Sequence, residues 1–272
     1  MRRMISFPCG TDNLVGTLDE GTRDVGLLIV SGGNEIRSGA FGGQAALAAH
    51  MADAGYTTFR YDRRGIGESE GQNAGFEESA DDIAAALAAF RQSAPQVKRI
   101  IAFGNCDAAT ALALFHHSNA IDGLILANPW IIEATPANDE QPAAPSATAI
   151  RARYWARLKN PRSLLDLLSG KVDLRKLATG LVSASRKEPV SGLAVRLAKS
   201  LAKSTVPTHL LIARHDTTAM AFMGAWHSAE FADARALAHI QMDQFDTASH
   251  GFADDASRRW LYDNIHKTLQ KV

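Results

Sequence analysis

The chain has 272 residues, 46% hydrophobic and 21% charged, and its 29 lysines and arginines balance 29 aspartates and glutamates. That length allows one large α/β domain or a core with an insertion, and the absence of low-complexity tracts excludes a disordered or fibrous chain. A net charge of zero offers no general field for nucleic acid, and no apolar run approaches the roughly 18 residues of a membrane-spanning helix.

Chain order begins with Met1-Arg2-Arg3-Met4, which reaches Pro8, Gly10 and Asp12 before any apolar leader develops, so a signal peptide is not expected. A cytoplasmic setting is expected instead, with Cys9 and Cys106 as thiols rather than a disulfide. Alternation through Ile5, Phe7, Leu14 and Leu18 around Cys9-Gly10-Thr11-Asp12-Asn13 predicts a β-hairpin. Gly26 to Val30 reads as a buried strand, 41–54 as an amphipathic helix through Leu47, Ala48 and Met51, and Tyr56 to Tyr61 as the next strand. Phe76 to Gln92 has helical spacing, Arg99 to Phe103 is strand-like, Ala108 to Phe115 is a small-residue helix, and Gly123 to Ala127 is another strand.

Strands alternating with helices of this length imply right-handed βαβ units and a mostly parallel sheet with helices on both faces. The rhythm stops after Trp130. Residues 135–147 read as a connector and 148–203 as helical pattern without strands. Strands return at Thr208 to Ala213 and His239 to Phe245, followed by a helix from about Asp254 to Leu269. The expected division is a core in two parts, 1–132 and 205–272, around a helical cap at 133–204. Within that cap 13 lysines or arginines face 6 aspartates or glutamates. This excess fits solvated helix faces, a basic lid over an anionic substrate, or a surface that leans on an acidic membrane.

The chemistry centres on Gly104-Asn105-Cys106-Asp107-Ala108, where a strand breaks into a helix. A nucleophile on such an elbow needs small residues two positions before and after it, because the turn brings backbone close to backbone. Gly104 and Ala108 meet that demand. A thiol at a helix N-terminus also lies at the positive end of the helix dipole, which favours the thiolate.

In elbow-type sheets the acid and then the histidine follow the nucleophile along the chain. Asp216 follows the strand ending at Ala213, and His250 lies in the loop after the last strand. His215 cannot easily face its neighbour Asp216, Asp243 lies within a strand, and Asp246 is too near His250 in sequence for ordinary triad geometry. Cys106, His250 and Asp216 are therefore the expected nucleophile, base and acid. An oxyanion hole needs two backbone N–H groups, expected from Asp107 and from Gly33 or Asn34. No metal or cofactor motif is read. Asp62 and Ser69 are expected to tie a loop, and Arg63 and Arg64 to be surface charges.

The stretch Tyr61-Asp62-Arg63-Arg64-Gly65-Ile66-Gly67-Glu68-Ser69 resembles the Asp-x-x-Gly-x-Gly-x-Ser loop of α/β hydrolases. With the elbow and the two late loops, this resemblance implies the α/β-hydrolase fold: a mostly parallel central sheet, helices on both faces and a helical lid insertion. Gly104 to Ala108, Asn128-Pro129-Trp130, the stretches Arg153 to Leu158 and Leu167 to Val172, and Asp216-Thr217-Thr218-Ala219 with Phe222 are similar to the exosortase A system-associated hydrolases of the first type. One departure is His250-Gly251-Phe252, where His-Thr-Phe is expected. The resemblance implies a cytoplasmic enzyme encoded alongside exopolysaccharide biosynthesis and protein sorting. The activity expected is attack of Cys106 on an ester or thioester of a small molecule, an anionic one being the reading the basic cap would fit. Its acyl-enzyme would pass to water or to a sugar hydroxyl, and a scaffold without turnover is the remaining alternative.

Overall fold

A computed structural model describes residues 1–118, 120–133 and 190–271. Eight strands form one sheet in the order β1-β2-β4-β3-β5-β6-β7-β8. The hairpin expected at the start is β1 (Arg2–Cys9) and β2 (Asp12–Asp19), antiparallel to each other, with β2 antiparallel to β4 (Thr57–Tyr61). From β4 onward β3 (Val25–Val30), β5 (Arg99–Asn105), β6 (Gly123–Ala127), β7 (Thr208–Ala213) and β8 (Ile240–Phe245) are parallel.

The central strands are apolar throughout because both faces are covered. Their period of two divides the side chains between two cores. Leu28, Val30, Ile100, Ala102, Leu124 and Leu126 enter the core under α2 (Ala80–Ser93), α3 (Asp107–Phe115), α4 (Gly192–Ala202) and α5 (Thr217–Trp226). Leu27, Ile29, Ile101, Phe103, Ile125 and Ala127 enter the core on the other face. There they meet α1 (Gly43–Asp53) and the C-terminal helix, which follows a short turn α6 (Ala232–Arg235) and is labelled α7 (Asp255–Lys271). Helices therefore lie on both faces, as the rhythm predicts.

One helix begins a turn later than its spacing predicts. The helix expected from Phe76 starts at Ala80, because Phe76–Glu78 forms a separate 3-10 turn that ends at Ser79. Of the expected cap, 134–189 lie outside the described residues. Its last stretch, α4, buries Leu193, Ala194, Leu197, Ala198 and Leu201 and packs against α3, so it joins the core layer. Helical periodicity states that one face is apolar but not what covers it.

The strand order reverses beside β5, which has β3 on one side and β6 on the other. In such sheets the crevice at the carboxyl ends of the switch-point strands takes the ligand. Gly104 shows how tightly this end of β5 is built: a Cβ there would lie 2.7 Å from the Ala108 carbonyl carbon. Gly104→Ala is therefore expected to cost about 1–3 kcal/mol, the range for overpacking a tight site. A lower urea midpoint at unchanged slope would be the readout.

Candidate active site

Cys106 follows β5 directly and is the N-cap of α3, with φ 63° and ψ −127°, a conformation that non-glycine residues rarely adopt. The loop after β6 holds it there: the Cys106 N–H donates to the Ala127 carbonyl at 3.0 Å, and the Trp130 N–H donates to the Cys106 carbonyl at 3.2 Å. Backbone bonds on both sides keep the turn closed, so the thiol projects at the sheet edge, free and partly exposed.

Asp216 follows β7 and caps α5, its Oδ2 accepting the Ala219 N–H at 2.9 Å. The same oxygen lies 3.0 Å from Nδ1 of His250. The ring of His250 is hydrogen-bonded to Asp216 and to the Cys106 thiol, and these partners, Asp216 foremost, raise its pKa from 6.5 to about 10 against the opposing effect of burial. The structure thus brings Cys106, His250 and Asp216 into one hydrogen-bonded row.

Other candidates are engaged elsewhere. His215 pairs with Asp246, and His209 Nε2 with Asp243 at 3.0 Å. Cys9 is buried, donates to Asp82 at 3.6 Å, and has its pKa pushed up to about 11 by burial and by that carboxylate. A thiol held in that state is inert at neutral pH.

Two asparagines fix the histidine loop. Asn128, fully buried with φ 43°, donates from Nδ2 to the His250 carbonyl at 2.9 Å and to Asn105 Oδ1 at 3.2 Å. Its Oδ1 accepts the Ala213 N–H at 2.8 Å, and Asn105 Nδ2 donates to the same His250 carbonyl at 3.3 Å. One side chain therefore joins the ends of β5, β6 and β7 to the base. Its signal in the sequence is the Asn128-Pro129-Trp130 motif.

The expected oxyanion loop is arranged differently from a row of open donors. The Gly33 N–H donates to Asp107 Oδ1 at 2.7 Å. Gly32 lies under that carboxylate, since a Cβ there would meet Asp107 Oδ1 at 2.5 Å. Asn34 is exposed and its side chain accepts from Asn73 at 2.9 Å. Arg63, expected as a surface charge, is only 4% exposed and donates to the Gly33 carbonyl. Arg64 instead binds Asp82 at 2.5 Å. Ser69 does tie its loop, donating to the Asp62 carbonyl at 2.7 Å and accepting the Val15 N–H at 2.9 Å.

Beside Cys106 and His250 opens a pocket of about 470 Å³, lined by apolar groups of Leu47, Phe103, Phe252, Leu261 and Tyr262, with the fully exposed Phe41 at its edge. That volume lies within the range of small-molecule sites. Among the described residues no group of three or more His, Cys, Asp or Glu side chains is placed to hold a metal ion, and no helix is long and apolar enough to cross a membrane.

Two measurements check this geometry. A raised His250 pKa means that between about 6.5 and 10 the folded protein holds a proton the unfolded chain has lost, so stability from this group is full below that window and declines as pH rises through it. Thermal unfolding from pH 6 to 10 should therefore show a fall that is flatter in Asp216→Asn. Asn128→Ala leaves the Ala213 N–H buried without its partner, and the expected loss is about 1–3 kcal/mol in urea unfolding.

The family described as serine aminopeptidase S33, Hydrolase_4, matches residues 24–256. No curated protein matches the chain. Among solved structures, an esterase of Pyrococcus furiosus is similar with a TM-score of 0.65 at 16% identity, covering 100% of this chain and 91% of that one. Est1E of Butyrivibrio proteoclasticus, solved with ferulic acid bound, has a TM-score of 0.62 at 14% identity over 98% of both chains. The proline iminopeptidase of Mycobacterium smegmatis has a TM-score of 0.58 at 15% identity over 99% of both. At these identities the structural likeness speaks for the fold, while the family match spans most of the chain: it belongs to the serine aminopeptidase S33 family of hydrolases, has the α/β-hydrolase fold, and carries cysteine at the elbow.

Proposed function

We propose that the protein is a cysteine-nucleophile acyl hydrolase that cleaves a small ester or thioester with an apolar acyl group. The observation that carries this reading is the row Cys106–His250–Asp216, with its 3.0 Å His250–Asp216 contact, at the wall of an apolar pocket of about 470 Å³. Membership of a hydrolase family and the likeness to esterases support it.

In this mechanism His250, kept protonated by Asp216, provides the counter-charge for a Cys106 thiolate. The thiolate attacks the carbonyl carbon, the carbonyl π electrons move to oxygen, and backbone N–H groups of Asp107 and Gly33 receive that oxyanion. Collapse expels the alkoxide or thiolate leaving group, which takes the His250 proton and leaves an acyl thioester on Cys106. Water then gives a proton to His250 and attacks the thioester, releasing the carboxylic acid and the thiolate. The pocket beside the thiol would hold the acyl group, and burying it there would exclude water from the first step.

The resemblance of Gly104 to Ala108 and of Asn128-Pro129-Trp130 to exosortase-system hydrolases sets this chemistry in the cytoplasm beside exopolysaccharide synthesis. There a sugar hydroxyl in place of water would make the same acyl-enzyme a transferase.

Intact-protein mass measurement after incubation with p-nitrophenyl esters and acyl-coenzyme A thioesters is the test. A single acyl adduct on Cys106, absent in Cys106→Ala, is expected; an adduct at another residue, or none with any acyl donor, overturns the reading. Cys106→Ser should lose about 10²-fold or more in turnover, because an imidazole already protonated at neutral pH cannot serve a hydroxyl as base.

A further inference from the structure

The Gly33 peptide is gripped at both ends. Its N–H is bound by the Asp107 carboxylate at 2.7 Å, and its carbonyl by the Arg63 guanidinium. Arg63 Nη2 stands 4.0 Å from Asp107 Oδ2, and Arg63 Nε is buried with no hydrogen-bond partner. Among the described residues Asp107 is the carboxylate that pairs with Arg63. These contacts join the residue after the nucleophile to the loop expected to receive the oxyanion.

They also create a conflict. An oxyanion held by the Gly33 N–H would occupy the place that Asp107 Oδ1 holds, and one N–H cannot serve two anions that repel each other at the same point. The carboxylate has somewhere to go. A buried guanidinium with an unused N–H is a poor state to leave unpaired, and a fork of donors is shaped to receive a carboxylate. Rotation of a single side chain, with no backbone movement, would carry Asp107 from Gly33 toward Arg63.

We propose that Asp107 gates the oxyanion site: its carboxylate caps the Gly33 N–H in the free protein and transfers to Arg63 when an acyl substrate arrives. The proposal rests on the reading of Cys106 as the acyl acceptor. Asp107 and Arg63 are then positioning residues, acting on the reacting oxygen through one backbone amide. The gate makes the hole available only when a carbonyl presses on it, and it sets the sign of each substitution. If Asp107 merely braced the loop, removing it would slow acylation; as a gate, removing it speeds acylation.

The test uses the full chain and measures acylation by p-nitrophenyl butyrate. Each rate is divided by that of thiol exchange with dithiodipyridine, which forms no oxyanion and so corrects for changes in the thiol itself. Asp107→Ala should raise this ratio about three-fold or more. Arg63→Gln, which strands the carboxylate on Gly33, should lower it about 10- to 100-fold, approaching the worth of one oxyanion donor. The double variant should return to the Asp107→Ala level, because an absent carboxylate needs no second partner. Arg63→Lys, which keeps a charge for Asp107, should recover part of the loss. A fall in the ratio with Asp107→Ala, or a double variant as slow as the product of the two singles, overturns the gate.

The Gly33 amide proton gives a readout independent of turnover. It should resonate downfield in the unaltered protein and in Arg63→Gln, and move upfield in Asp107→Ala. If no ester acylates the protein while that pattern holds, the ester reading fails and the capped amide stands; if the amide is indifferent to Asp107, the gate fails whatever the esters show.

Discussion

The left-handed backbone of Cys106 is the constraint on which the rest of the site depends. At φ 63° the chain reverses between β5 and α3 so sharply that Gly104 faces Ala108 with no room for a side chain. Such a conformation costs on the order of 1–3 kcal/mol and persists only when its surroundings determine it. Here they do: β5 is buried on both faces, α3 buries six of its residues in the core, and the β6 loop bonds to both polar groups of the Cys106 backbone. A packed core thus stabilises the strained backbone of Cys106, and the strain aims the thiol.

Charge placement follows from the same geometry. Asp216 performs two tasks with one oxygen, capping α5 and holding Nδ1 of His250. Because the Ala219 N–H fixes the carboxylate, the imidazole meets an acceptor that cannot turn away, and the charged ring is favoured up to about pH 10. Asn128 does for the backbone of this loop what Asp216 does for the ring, holding the His250 carbonyl from the side of the sheet. His250 is therefore located at two points by residues from two different strand ends.

Much of this was legible in the sequence. The apolar runs through β3, β5, β6 and β7 announce strands covered on both faces, and the chain order of Cys106, Asp216 and His250 follows from where strands end. What escaped depends on contacts between distant segments. Arg63 sits in a charged stretch that reads as surface, yet the Gly33 carbonyl, 30 residues before it, and Asp107, 44 residues after it, give a buried guanidinium its partners. The capped Gly33 amide could not be foreseen either, because a side-chain rotamer of Asp107 decides it. Leucines at 193, 197 and 201 have the same spacing whether they line a lid or a core, and only the contacts of Leu197 and Leu201 place α4 against the core layer.

The family takes its name from serine, and this chain carries a cysteine at the elbow, beside an imidazole whose pKa Asp216 and Cys106 raise. A hydroxyl nucleophile needs a neutral imidazole beside it, ready to accept a proton near neutral pH. A ring whose proton is held to about pH 10 by Asp216 and Cys106 is seldom neutral there. Under the proposed function such a ring would serve as a standing cation beside a thiol rather than as a base for a hydroxyl. Cys106 is partly exposed at the elbow, while the buried Cys9, beside Asp82, has its pKa pushed up to about 11. The two cysteines thus differ in burial and in their nearest ionisable neighbour, His250 for one and Asp82 for the other.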